Sequence, residues 1–230
     1  MFWGAIIYGI PCIESPFFIW EEETQEEKEL AIEKLAEENR LLEEAATKEN
    51  PDWYANEMAR RKALPKGHCP RGRPVNLYKD TKRTRGKNLK GGIDWFRYRE
   101  SICEKELYPF YRKMELSATL GERGRIFLIE DGAGPHRSQH LNAHHKANHI
   151  NKITWPASSP NLNPIEHVWE YIREKISHRR PFPNSKAATE RAWVEEWKAI
   201  PVEVTNSFIT ALPRKMHQVY KQNGGNLFHG

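Results

Sequence analysis

The chain has 230 residues, 38% of them apolar, a formal net charge of +5 and a sequence pI near 9.0. This is enough apolar material for one large domain or for a core with an insertion, but no apolar run reaches the ~18 residues that a membrane-spanning helix needs. The basic balance is compatible with a nucleic-acid partner. Three scattered cysteines, Cys12, Cys69 and Cys103, point to a reducing compartment and not to a disulfide framework.

The first ten residues, MFWGAIIYGI, lack the basic start and small-residue cleavage site of a signal peptide and read as a buried strand. Residues 17–20 read as a second strand, with Gly9, Ile10 and Pro11 in the turn between. Residues 21–48 are crowded with Glu and hold almost nothing that breaks a helix. Leu35 and Leu42 are one heptad apart, with Ile32, Leu41 and Ala45 nearby, so the expectation is a long amphipathic helix packed on one side. Twelve Glu against four Lys or Arg over residues 21–49 keep it off DNA, and its repeats are too few for a convincing dimeric coiled coil.

Residues 50–90 turn basic and are broken by Pro and Gly, so they read as mostly loop. Over residues 60–90 there are twelve Lys or Arg and one acid, Asp80. Arg71 and Arg73 flank Gly72 between two prolines, which resembles the core of an AT-hook lying in a narrow A·T minor groove. Lys82, Arg83, Arg85, Lys87 and Lys90 suit the neutralisation of phosphates, which makes binding salt-dependent. A solvated linker is the alternative reading of the same segment. His68 and Cys69 lack a second pair at zinc spacing.

After Gly91 and Gly92, the residues Phe96, Ile102, Leu107, Phe110 and Tyr111 predict a helical region packed on a sheet. Residues 126–129 form an apolar run of strand length that ends in Glu130, Asp131 and the breakers Gly132 and Gly134. Residues 137–149 suit a helix and carry His140, His144, His145 and His149, with no carboxylate or cysteine to complete a zinc set. Residues 152–156 read as a strand. Asn163 then suits an N-cap, Pro164 the first helical position and Glu166 the third, before Ile165, Val168, Trp169, Ile172 and Ile176 recur as one buried helical stripe. Arg179, Arg180 and Pro181 make a basic break. Residues 187–198, 203–212 and 214–222 read as three further helices, with Trp193 and Trp197 as core anchors.

Two carboxylates stand out. Asp131 follows a strand, at the end where open α/β sheets place ligands, and Glu166 lies in the first turn of a helix beside its apolar stripe. Such a pair can converge on a hard divalent cation of the kind used in phosphodiester chemistry. Each acid has a plainer reading: Asn163 and Glu166 fit a capping box, and Asp131 before Gly132 fits the start of a turn. Spacing alone leaves both open.

DGAGPH, a strand ending in WPA, and SPNLNPIEHVWEYIREKI together resemble the catalytic core of mariner-superfamily transposases. That family carries an aspartate in D-N-A-P-x-H, followed by W-P-x-x-S-P-D-L-N-P-I-E-x-x-W. The third family acid follows the second after thirty-four residues, the separation found between Asp131 and Glu166. His136 matches the family histidine. Gly132 stands for the usual Asn, which removes an amide donor beside the proposed ligand; Gly134 precedes Pro135, and Asn161 replaces the usual Asp.

The resemblance covers residues 1–20 and 91–230, and implies an α/β, ribonuclease H-like mixed sheet flanked by helices, with residues 21–90 inserted as an acidic helix and a basic linker. It implies a DDE endonuclease and strand-transfer domain in which three acids hold two Mg²⁺ or Mn²⁺ ions, Asp131 and Glu166 among them, and in which His136 steadies the loop or contacts phosphate. It also implies DNA as the partner, both transposon ends and target, no membrane, and nuclear action, and it allows a homodimer. The family's first acid lies on the strand before the one that WGAI resembles, and Asp52, Asp80 and Asp94 follow no apolar strand that would replace it. The expectation is therefore a truncated copy with an incomplete triad, the alternative being a catalytically inactive DNA-binding remnant.

Overall fold

A computed structural model describes residues 2–49, 51–68, 93–118, 124–156 and 159–224. The chain divides into two compact units, residues 22–96 and residues 1–21 with 97–230. The fold is α/β, as expected: helices dominate, with two short strand pairs among the described residues. None of the described helices is long and apolar enough to cross a membrane.

The smaller unit contains α1 (Gln25–Glu49) and α2 (Trp53–Ala63). A capping box starts α1: the Thr24 N–H donates to Glu27 Oε2 at 2.8 Å, and the Glu27 N–H donates to Thr24 Oγ1 at 3.2 Å. Ala31 and Leu35, one turn apart, are buried with Trp95 and Phe96. Leu30, Ile32, Leu41 and Leu42 are exposed, so only one flank of the predicted apolar face is covered within the described residues. The loop expected over residues 50–90 is corrected in its first part by α2. No Pro or Gly interrupts residues 53–63, three alanines favour the helix, and Glu57 pairs with Arg60 at 2.7 Å and Arg61 at 2.9 Å. Arg71, Arg73, Lys82, Arg83, Arg85, Lys87 and Lys90 lie outside the described residues.

In the larger unit, β1 (Phe2–Gly4) pairs antiparallel with β2 (Phe17–Ile19), Trp3 opposite Phe18. Both strands are shorter than the sequence suggested, because a 3₁₀ turn at Cys12–Glu14 and the prolines beside it occupy the connection. α3 (Trp95–Tyr98) runs into a π-helical segment, Arg99–Leu107, and then into α4 (Tyr108–Ser117). The π segment buries Ile102, Cys103 and Leu107, residues of the predicted helical region.

The βαβ unit that follows comprises β3 (Leu128–Ile129), α5 (Gln139–Ala147) and β4 (Lys152–Ile153). Its strands are parallel, with Leu128 opposite Lys152 and Ile129 opposite Ile153. β3 is only half-buried. Phe127 is 47% exposed, and β3 has no strand on its other edge among the described residues.

The four C-terminal helices are α6 (Pro164–Ser177), α7 (Lys186–Ala199), α8 (Val202–Thr210) and α9 (Leu212–Lys221). Val168, Ile172 and Ile176 of α6 are buried with Ala192, Trp197 and Ile200, while Ile165, Trp169 and Trp193 pack on that cluster. The predicted stripe and both tryptophan anchors thus form the core. Phe17 stacks on Trp197 at 5.2 Å, Trp197 on Trp169 at 5.4 Å, and Phe2 on Trp193 at 4.4 Å. The predicted basic break contributes an ion-pair tie: Arg179 binds Glu195 at 2.6 Å and Glu196 at 2.7 Å on α7. Cys12 is buried in the same core, which pushes its thiol up to about 12 and leaves it inert; Cys103 is likewise a buried free thiol.

Candidate active site

Asp131 is placed by the end of β3. The chain leaves the strand at Glu130, and Gly132, Gly134 and Pro135 prevent it from continuing, so the acid projects from the carboxyl edge of the parallel pair. Its Oδ1 accepts from the Ala133 N–H at 2.9 Å, so the turn reading is correct. The same oxygen is 2.6 Å from His136 Nδ1, in a 3₁₀ turn at Pro135–Arg137. An ionised carboxylate only accepts, so Nδ1 carries the proton and donates it to Asp131. The His136 hydrogen bond holds the Asp131 carboxyl below its ordinary range, with the Ala133 N–H assisting and partial burial opposing. Oδ2 takes no hydrogen bond among the described residues.

A cleft of about 910 Å³ opens here. Asp131 and His136 line it from the β3 side, Thr154 and Trp155 from beyond β4, and Arg137, Lys146 and Lys152 supply positive charge. Glu130, which the sequence reading passed over as a strand terminus, lies beneath it. Its side chain is only 4% exposed, and it accepts from the Tyr98 hydroxyl at 2.7 Å while standing 2.7 Å from Lys152 Nζ and 3.3 Å from His145 Nε2. Burial pushes this carboxyl up. The His145 hydrogen bond and the charges of His136, His145 and Lys152 outweigh burial and hold it down at about 2. His145 is therefore a structural residue, its Nδ1 2.9 Å from the Tyr108 hydroxyl. A strand ending in two consecutive acids was the available signal, since strand alternation turns one of them inward.

Glu166 is at the third position of α6 and half-buried. The capping box is not formed. Asn163 makes no side-chain cap bond, and its N–H donates instead to Pro160 O at 2.9 Å, because a 3₁₀ turn at Pro160–Leu162 precedes the helix. The Glu166 carboxylate has no partner among the described residues, so local structure does not consume it. Glu166 is not among the residues that line the cleft with Asp131.

For a metal, the donor chemistry fits: ionised Asp131 with an uncommitted oxygen and the unengaged Glu166 carboxylate are hard oxygen ligands of the kind Mg²⁺ and Mn²⁺ take. Among the described residues, no group of three or more His, Cys, Asp or Glu gathers as a complete metal site, and the α5 histidines form no zinc set.

An ionised acid at the carboxyl end of a parallel strand pair stands where open α/β sheets place ligands. The chain belongs to the DDE superfamily endonuclease family, whose sequence profile matches residues 58–189, more than half of it. It is 33% identical over 134 residues to the Transposable element Tc1 transposase of Caenorhabditis elegans, covering 57% of this chain and 45% of that protein. It is 32% identical over 148 residues to the Tcb1 transposase of Caenorhabditis briggsae, covering 64% and 50%. The chain thus spans about half the length of the curated relatives it matches. A solved structure of the Mos1 transposase catalytic domain with raltegravir and Mg is similar at a TM-score of 0.49 and 17% identity, over 60% of this chain and 67% of that one. The family match and the transposase relatives bear out the mariner-superfamily resemblance.

Proposed function

We propose that this chain carries the strand-cleaving and strand-transferring domain of a transposase-type DDE endonuclease, and that its substrate is DNA. The observation that carries the reading is Asp131. It is kept ionised by His136 with one oxygen uncommitted, in a cleft that Arg137, Lys146 and Lys152 line together with the acids Glu115 and Glu130. Asp131 and Glu166 would hold Mg²⁺ or Mn²⁺, which when bound supplies Lewis-acid polarisation of a phosphodiester. His136 holds Asp131 by its Nδ1–H, so the acid is offered as an oriented carboxylate and not as a mobile surface group. Arg137 and Lys146 are suited to phosphate contacts that position a strand without reading its sequence. Arg71, Arg73, Lys82, Arg83, Arg85, Lys87 and Lys90 would add salt-dependent backbone affinity. On this reading the protein works in the nucleus.

The family resemblance implies three acids, of which Asp131 and Glu166 match two, so the test separates cleavage from binding. Supercoiled plasmid is incubated with the chain, Mn²⁺ or Mg²⁺ and a salt series. The expected result is binding that weakens with salt, and metal-dependent nicking lost in both Asp131→Ala and Glu166→Ala. Salt-dependent binding without nicking returns the protein to a catalytically inactive DNA-binding remnant. Absence of both overturns the two readings together.

A further inference from the structure

We infer that Glu130 and Lys152 are positioning residues for the Asp131–His136 pair, an inference that rests on the reading of Asp131 as a ligand carboxylate. The two oxygens of Glu130 anchor two separate arms that meet again at His136. Oε1 accepts from the Tyr98 hydroxyl at 2.7 Å, and the Tyr98 ring lies against the His136 imidazole with centroids 4.7 Å apart. Oε2 stands 2.7 Å from Lys152 Nζ, which donates to the His136 carbonyl at 2.8 Å and to Asn142 Oδ1 at 3.1 Å. One arm thus holds the ring of His136 and the other holds its backbone.

Each arm is fixed. An ammonium has three N–H donors, and Lys152 has three acceptors, Glu130, the His136 carbonyl and Asn142, so its head has no rotational slack. Tyr98 donates to Glu130 while its oxygen accepts from Trp3 Nε1 at 3.1 Å, which pins the ring from β1. The network crosses from Trp3 of β1 through Tyr98 to Glu130 and Lys152, all residues of the larger unit. His136 in turn donates to Asp131. His136 is the direct partner of Asp131, and such partners of ligand residues carry on the order of tenfold or more in metal affinity.

A buried ion pair can also be present only to complete a fold, and the experiment separates the two roles on the full chain. It follows three readouts in Lys152→Met and Glu130→Gln: the thermal midpoint, Mn²⁺ affinity by calorimetry, and the downfield His136 Nδ1–H proton resonance at one fixed pH. We expect both variants to shift or broaden that resonance and to weaken Mn²⁺ binding on the order of tenfold. The double variant should move the resonance further than Lys152→Met alone does, because Glu130 also anchors the Tyr98 arm, which Lys152 does not touch. An unmoved His136 resonance in folded Lys152→Met protein overturns the inference, whatever the thermal midpoint does. Should Lys152→Met not fold, Glu130→Gln, which keeps the side-chain volume, decides between the same outcomes. If the unsubstituted chain binds no Mn²⁺, the ligand reading of Asp131 fails by itself, and the His136 resonance still decides the positioning role.

Discussion

Gly4 lies directly against the indole of Trp197: a Cβ at Gly4 would stand 2.7 Å from Cη2 of Trp197 and 3.0 Å from Cη2 of Trp169. Trp197 is 1% exposed and stacked on Phe17 and Trp169, so its ring has no room to give way. The glycine is what allows β1 to close on the aromatic core.

Gly4→Ala should therefore destabilise the protein by about 1–3 kcal/mol, the usual cost of overpacking a filled core. Urea denaturation followed by tryptophan fluorescence checks this. An unchanged midpoint would mean that β1 is not seated on Trp197.

Glu166→Gln distinguishes a ligand from a helix cap. With the capping box unformed, the substitution loses only the interaction of one charge with a helix N-terminus, about 0.3–1 kcal/mol. Mn²⁺ affinity, by contrast, should fall sharply. A stability loss well beyond that range, with Mn²⁺ binding intact, would assign the side chain to structure.

Glu130 predicts an acid limb in stability. Its folded pKa, about 2, lies below the ordinary glutamate value of 4.5. In that window the unfolded chain binds the proton and the folded chain does not, so the contribution is complete above pH 4.5 and is lost as pH falls through about 2. Thermal midpoints measured over this range should drop toward acid, and Glu130→Gln should flatten the drop. Parallel curves for the two proteins would contradict the burial of the acid against Lys152 and His145.

Ser185 caps α7 through its Oγ, which accepts from the Ala188 N–H at 3.2 Å. Ser185→Ala should cost about 1 kcal/mol, while Ser185→Asp should be nearly neutral. Chemical denaturation of the pair of variants tests the cap, and equal losses in both would deny it.

Much of the C-terminal half was legible because its signals are local. Ile165, Val168, Trp169, Ile172 and Ile176 announce α6 through their spacing alone, and the helices beyond it follow in the same way. The segment holding α2 was misread because basic, polar residues obscure a helix whose support comes from i,i+3 and i,i+4 ion pairs. Of the two readings open for Glu166, the capping box is not formed, because the 3₁₀ turn before Asn163 takes up the N–H that Glu166 would have bound, whereas Thr24 and Glu27 form one at α1.

For the site, spacing left the roles of Asp131 and Glu166 open, and it was the resemblance to mariner-superfamily transposases that singled out both acids and His136. The order of residues also determined the apolar periodicities that build the helices. Only the tertiary structure decided that His136 turns onto Asp131, that Glu166 stays uncommitted, and that the acid beside Asp131 is buried as an ion pair. Tyr98 and Glu130 are 32 residues apart, and His145 and Glu130 are 15 apart. Hydrogen bonds over such separations leave no periodicity in a sequence. They exist because folding brings the ends of β3 and β4 and the helix at Tyr98 together, and removes from water a charge that must then find partners.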